Sequence, residues 1–230
     1  MQFISSIFML LLSTFAYSQS HFNYPIIKKQ GKTSNDFIPT GWTILGKAEG
    51  DLNKDQVKDV ALVLQCKKSI RTVNDGDTLN THPRILVILF QDAVSKTYKL
   101  ITQSNTFIIN TDDPTMEDPF QEVAINKGLL QIDFQQFYNM GSWYITNRSY
   151  KFRYQNNQPV LIGADYLSFH RATHDYEEYS FDFLSKKRSF TKGKDEKPQK
   201  TTWTPVKLSE LKTLETLKKP FEWKIEGIVL

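Results

Sequence analysis

Three stretches of this chain alternate residue by residue between apolar and polar side chains, and that period excludes a helix in each. Leu130, Ile132 and Phe134 alternate with Gln131, Asp133 and Gln135. Tyr150, Phe152 and Tyr154 alternate with Lys151, Arg153 and Gln155, and Tyr179, Phe181 and Phe183 follow the same rule. Successive side chains of a strand point to opposite faces, so each stretch reads as a strand with one face buried and one wet. Turn residues separate such segments. Asn126-Lys127-Gly128 stands between Val123-Ala124-Ile125 and Leu129-Leu130, and Asn156-Asn157 stands between Tyr154 and Val160-Leu161-Ile162. Both read as hairpin turns, which makes the middle of the chain an antiparallel meander.

Two runs are apolar without alternation, at residues 60–64 and 85–90. They are short and rich in branched residues, which predicts central strands covered on both faces. The polar stretch between them, residues 67–83, reads as a long exposed loop. Leu208, Leu211, Leu214 and Leu217 form a stripe between Pro205 and Pro220 and predict a short helix, with a last strand over residues 221–230. The expected fold is therefore mainly β: an antiparallel meander or sandwich-like sheet with one short C-terminal helix. No repeat at a fixed period is present, which argues against a multi-bladed propeller.

Residues 1–18 read as a secretory signal peptide. A short apolar core, Ile7-Phe8-Met9-Leu10-Leu11-Leu12, is followed by the small residues Ala16 and Ser18 at the places a signal peptidase inspects. This predicts a secreted or periplasmic protein. No later apolar run approaches membrane-spanning length. Residues 19–40 read as a flexible N-terminal arm, and 41–230 as a single β-rich domain. Aromatics at 13% and hydrophobics at 40% suit a folded chain. The lone Cys66 excludes an internal disulfide and reads as a small core hydrophobe. The net charge of +4 gathers in a basic exposed loop at about 186–200. Only Phe190 interleaves aromatic character there, so the loop does not have the pattern of a nucleic-acid surface.

The chemistry-bearing motif is Gly50-Asp51-Leu52-Asn53-Lys54-Asp55-Gln56-Val57-Lys58-Asp59, which runs straight into the first apolar run. Asp51, Asn53 and Asp55 recur at every second residue and Asp59 closes the set. Three carboxylates in one small loop repel one another unless a cation neutralises them. The spacing predicts a Ca²⁺ loop using side-chain oxygens of Asp51, Asn53, Asp55 and Asp59 and the backbone carbonyl of Val57. Gln56 stands where such loops carry Gly. A left-handed backbone there costs a non-glycine residue about 1–2 kcal/mol, which predicts a weak site. Leu62 stands where an EF-hand places its bidentate Glu, so the loop is not an EF-hand.

The same residues, with the apolar strand that follows, resemble the calcium loop of FG-GAP or VCBS-type repeats of secreted and cell-surface proteins. More widely, the chain resembles uncharacterised secreted bacterial proteins, mostly from Bacteroidetes. That resemblance rests on Gly41-Trp42, Glu117-Asp118-Pro119-Phe120, Gly141-Ser142-Trp143, Tyr150-Lys151-Phe152-Arg153-Tyr154-Gln155 and Leu161-Ile162-Gly163. It implies an exported location and a mainly β fold, and it implies no activity.

Three further groups are candidates. Asp112-Asp113-Pro114-Thr115-Met116-Glu117-Asp118-Pro119 is an acidic, proline-stiffened stretch. In a hydrolase of envelope or environmental polymers, Glu117 and Asp118 would be its acid–base pair. His170 and His174 stand four apart, a spacing that suits a shared metal on a helix, or on a strand only where the chain turns between them. Phe137, Tyr138, Trp143, Tyr144 and Tyr150 are mostly core by expectation, and any that stay exposed could stack on sugar rings. No nucleophile elbow, phosphate loop or nucleotide fingerprint is present, so the expected role is a non-catalytic one, in binding or in association with the envelope, with a glycan or an envelope component as candidate partner; the alternatives are the hydrolase and a glycan-binding module.

Overall fold

The computed structural model describes residues 22–230 apart from 75, 112 and 196, so the leader expected at 1–18 lies outside the described residues. In chain order the strands are β1 (Gln30–Gly31), β2 (Trp42–Gly50), β3 (Asp59–Cys66), β4 (Ile70–Asn74), β5 (Asp77–Thr81), β6 (Arg84–Gln91), β7 (Tyr98–Ser104) and β8 (Phe120–Asn126). They continue as β9 (Leu129–Gln136), β10 (Tyr144–Gln155), β11 (Gln158–His170), β12 (Asp175–Asp182), β13 (Lys187–Lys194) and β14 (Lys197–Pro205). One helical turn, α1 (Leu214–Leu217), precedes the short pair β15 (Lys224–Ile225) and β16 (Ile228–Val229).

The protein is mainly β, and its strands pair antiparallel. Two sheets carry the fold. One has the order β1-β7-β6-β3-β2, and the other is the meander β14-β13-β12-β11-β10-β9-β8. The alternating stretches are β9, β10 and β12, and both turn motifs join neighbouring strands of the meander as expected. Lys127, Asn156 and Asn157 take the positive φ that those turns need.

The two apolar runs are β3 and β6, central in the five-stranded sheet, and each packs on both faces. Ala61, Val63, Leu86 and Ile88 point toward the meander, where they meet Leu130, Ile132, Phe134, Tyr150 and Phe152 around Phe107. Val60, Leu62, Leu64, Ile85, Val87 and Leu89 point the other way. The segment before β2 lies against them through Ile27, Phe37 and Trp42, with Phe22 and Tyr24 at the rim. Residues expected as an arm thus form the second cover of the sheet. At the joint between the sheets β2 runs close against β8. A Cβ at Gly50 would stand 2.4 Å from Ile125 Cγ2, so only glycine fits there.

Three expectations of local structure are corrected. Residues 67–83 are not a loop: β4 and β5 form a hairpin. The basic segment at about 186–200 is also largely paired, as β13 against β14. The leucine stripe yields only the single turn of α1. Upstream of it the backbone serves the sheet instead: Val206 N–H donates to Lys186 O, Leu161 N–H donates to Lys212 O, and Thr213 bridges Val160. β11 extends past the end of its pairing with β12, and the exposed backbone of β11 there takes up residues 212–213. Tertiary pairing overrides the helical period, while Leu208 and Leu211 still reach the core.

Candidate cation loop and neighbouring sites

Residues 51–58 connect β2 to β3, whose last pair is Gly50 with Asp59. Asp51 organises the outer half of the loop. Its Oδ1 accepts the N–H groups of Lys54 (2.6 Å) and Asp55 (3.1 Å), and its Oδ2 accepts that of Gln56 (2.9 Å). Asn53 Oδ1 accepts Asp55 N–H, and Asn53 Nδ2 donates to Asp55 Oδ2 at 2.9 Å. Asp55 Oδ1 accepts Val57 N–H at 2.8 Å. Lys54 and Gln56 adopt φ of 66° and 68°, so the strain expected at Gln56 is present.

Asp59 does something the spacing did not announce. It is 0% exposed and turns inward. Its Oδ2 accepts Leu52 N–H (2.8 Å) and Asn53 N–H (3.3 Å), and its Oδ1 accepts Gln91 N–H (3.2 Å) from β6. One carboxylate thus ties both ends of the loop to the neighbouring strand. Burial pushes its carboxyl up to about 6 despite those three donors, and the charge of Asp55 adds to the rise. Because that value lies above the ordinary 3.8, ionising Asp59 without a cation costs the fold part of its stability: the protonated form's advantage is full below about 4 and is lost as pH rises through about 6, while the backbone bonds to the carboxylate remain.

The donor set suits a hard cation. Every side-chain ligand offered is oxygen, and none of the ion pairs among the described residues involves Asp51, Asp55 or Asp59. Among the described residues no three His, Cys, Asp or Glu side chains converge on one point. Asp51, Asp55 and Asp59 are thus not brought to one point: Asp59 faces inward, while Asp51 and Asp55 accept N–H groups of the loop itself. Replacing Gln56 by glycine removes the left-handed strain, about 1–2 kcal/mol, against about 0.5–1 kcal/mol of chain entropy. Gln56→Gly is therefore expected to raise the melting temperature by one to a few degrees, measured by calorimetry (~0.5–1 kcal/mol net).

The Glu117/Asp118 pair is divided between two tasks. Asp118 meets the guanidinium of Arg84 with both oxygens, one at 2.8 Å, and also accepts Phe120 N–H. Arg84 is 5% exposed, and it also donates to Ile109 O and Gln65 Oε1. Glu117 is exposed, and its N–H donates to Phe137 O. Sequence reasoning missed Arg84. Its one signal was a cation standing at the head of an apolar run.

His170 and His174 also part company. His170 Nδ1 lies 3.1 Å from both the N–H and the hydroxyl of Thr173, while His174 Nδ1 lies 3.1 Å from Asp195 Oδ1. The aromatic group divides as well. Tyr150 is 0% exposed, with its hydroxyl accepting Phe221 N–H, and burial raises its pKa. Trp143 is 64% exposed and Tyr144 52%. Both flank His170: Trp143 stacks on its ring at 6.3 Å and Tyr144 meets it edge-on at 4.8 Å.

No protein-family model, curated protein or solved structure matches the chain. No helix among the described residues is long and apolar enough to cross a membrane.

Proposed function

We propose that the protein is a secreted or periplasmic binding module without catalysis, and that its β2–β3 loop takes one Ca²⁺ ion as a structural part. The observation that carries this reading is the charge of the loop: Asp51, Asp55 and the buried Asp59 all belong to residues 51–59, and none of them is in an ion pair among the described residues. Ca²⁺ held by Asp51, Asn53, Asp55, Asp59 and the carbonyl of Val57 neutralises that charge and stiffens the entry to β3. The exported location is supported by the apolar leader in the sequence and by the resemblance to secreted bacterial proteins. The engagement of Asp118 by Arg84 speaks against an acid–base role for Glu117 and Asp118.

The test is a melting curve in Ca²⁺ and in chelator. For a millimolar site, about tenfold excess Ca²⁺ adds about 1.4 kcal/mol, a shift of about 3–6 °C. An unchanged melting temperature in ten-millimolar-range Ca²⁺ removes the ion from the reading.

A further inference from the structure

The meander is longer than the sheet that covers it, and its free end carries an ordered pattern of side chains on one face. Pairing puts Thr146, Ser168, Glu177 and Lys192 in one row across β10, β11, β12 and β13. Two residues nearer the core on each strand, the row is Arg148, Tyr166, Tyr179 and Phe190. Two residues further out, Tyr144 pairs with His170. Alternation puts all three rows on the same face.

A row of hydroxyl, carboxylate and ammonium groups therefore runs between two aromatic borders. The inner border is locked by ring contacts: Tyr179 on Phe190 at 4.7 Å, Tyr166 on Tyr179 at 6.1 Å, and the Arg148 guanidinium 4.8 Å over Tyr166. The outer border is locked from behind. Arg171 N–H donates to Trp143 O, its guanidinium donates to Ser142 O, and the same guanidinium lies 5.0 Å over Phe137. Over the polar row and against the outer border opens a cavity of about 580 Å³ whose walls include Tyr144, Ser168, His170, Asp175, Tyr176, Glu177 and Lys192.

Two of the three carboxylate and ammonium groups in the walls of this cleft pair with each other, while Asp175 is in no ion pair among the described residues. Lys192 Nζ lies 3.5 Å from Glu177 Oε1, and at its rim His174 meets Asp195. An anionic surface or an acidic peptide would find no unopposed Lys or Arg in these walls, and the carboxylate of Asp175 is a further acceptor for a hydroxyl. What the cleft offers is the rings of Tyr144, His170 and Tyr176 beside alternating donors and acceptors on its floor. A sugar has the complementary pattern: flat C–H faces that stack on rings, and hydroxyls that donate and accept at its edges. From Tyr144 to Arg148 is about 13 Å along β10 at ~3.4 Å per residue, room for a short oligosaccharide.

We infer that the free end of the meander binds a neutral oligosaccharide, with Trp143 and Tyr144 as its stacking platform and Ser168, Glu177 and Lys192 bonding its hydroxyls. This rests on the binding-module reading and gives it a ligand class.

The test is isothermal titration of the full chain with cellohexaose, mannohexaose and chitohexaose, in millimolar Ca²⁺, beside vesicles of anionic phosphatidylglycerol. Saturable binding of at least one hexasaccharide is expected. Trp143→Ala and Tyr144→Ala should each weaken it about tenfold or more, and Trp143→Phe should retain most of it. Both positions are exposed, so the variants should melt with the parent. Binding of none of the three sugars, binding unchanged in both alanine variants, or binding to the vesicles alone each overturns the inference. The Ca²⁺ melting shift, measured on the same sample, is independent of these outcomes and reports separately on the loop.

Discussion

Asp59→Ala is expected to lower the unfolding free energy by about 3–5 kcal/mol, because it strips the partner from three backbone N–H groups at once. The Leu52 donor is buried and has no water to turn to, while those of Asn53 and Gln91 are partly buried. The loss should appear in urea unfolding in chelator as well as in Ca²⁺, since the lost acceptor serves the backbone whether or not an ion is bound. Asp51→Ala removes as many N–H contacts in an exposed part of the loop, where water replaces them. It should cost about 1 kcal/mol or less in chelator. Asp59→Asn should fall between, since its carbonyl still serves Leu52 and Asn53 while its amide faces the Gln91 N–H, donor against donor. An Asp59→Ala cost no larger than that of Asp51→Ala contradicts the anchoring role.

The second large effect concerns Arg84. Arg84→Ala is expected to cost about 3–5 kcal/mol, because it empties a buried site and leaves Ile109 O and the Gln65 amide without their donor. Asp118→Ala should cost about 2–3 kcal/mol, less because Asp118 is half exposed while the Arg84 it abandons is not. The pair should couple: the double variant should be about 1–3 kcal/mol less damaging than the sum of the two. Arg84→Met keeps the volume and gives up the charge, so it should recover part of the alanine loss. Urea unfolding of the four variants settles the matter. Additive losses contradict a shared ion pair, and an Asp118→Ala protein as stable as the parent frees that carboxylate for other work.

The meander was legible because its information is local. Residues 130–135, 150–155 and 179–183 each carry their period within six residues, and the turn residues at 126–128 and 156–157 mark the reversals. The strain at Gln56 was legible for the same reason: one residue of the wrong type in a loop of known spacing. The helix was overread because the leucine stripe specifies a face and not a partner, and the free backbone of β11 claimed residues 212–213. The hairpin of β4 and β5 escaped notice because its strands are polar on most of their surface and bury little. Among the candidate sites, residue types were readable and allegiance was not. Asp118 offers the same carboxylate in an acid–base pair as in a clamp on Arg84. His170 and His174 have the spacing of a ligand pair and are spent on a threonine and an aspartate.

By itself the sequence determined where the chain is extended, where it turns, and which side chains of each strand share a face. Those follow from backbone geometry and spacing over a few residues. It also set the chemistry available to the 51–59 loop, an all-oxygen donor set with excess negative charge. Only the tertiary structure decided what covers each face: the N-terminal segment on one side of β3 and β6, the meander on the other, and none of the described residues over the far end of β10 to β13. It alone turned Asp59 inward and left Trp143 outside. Such outcomes depend on which surfaces meet, and the strands that meet are separated by tens of residues whose order of pairing no local period records.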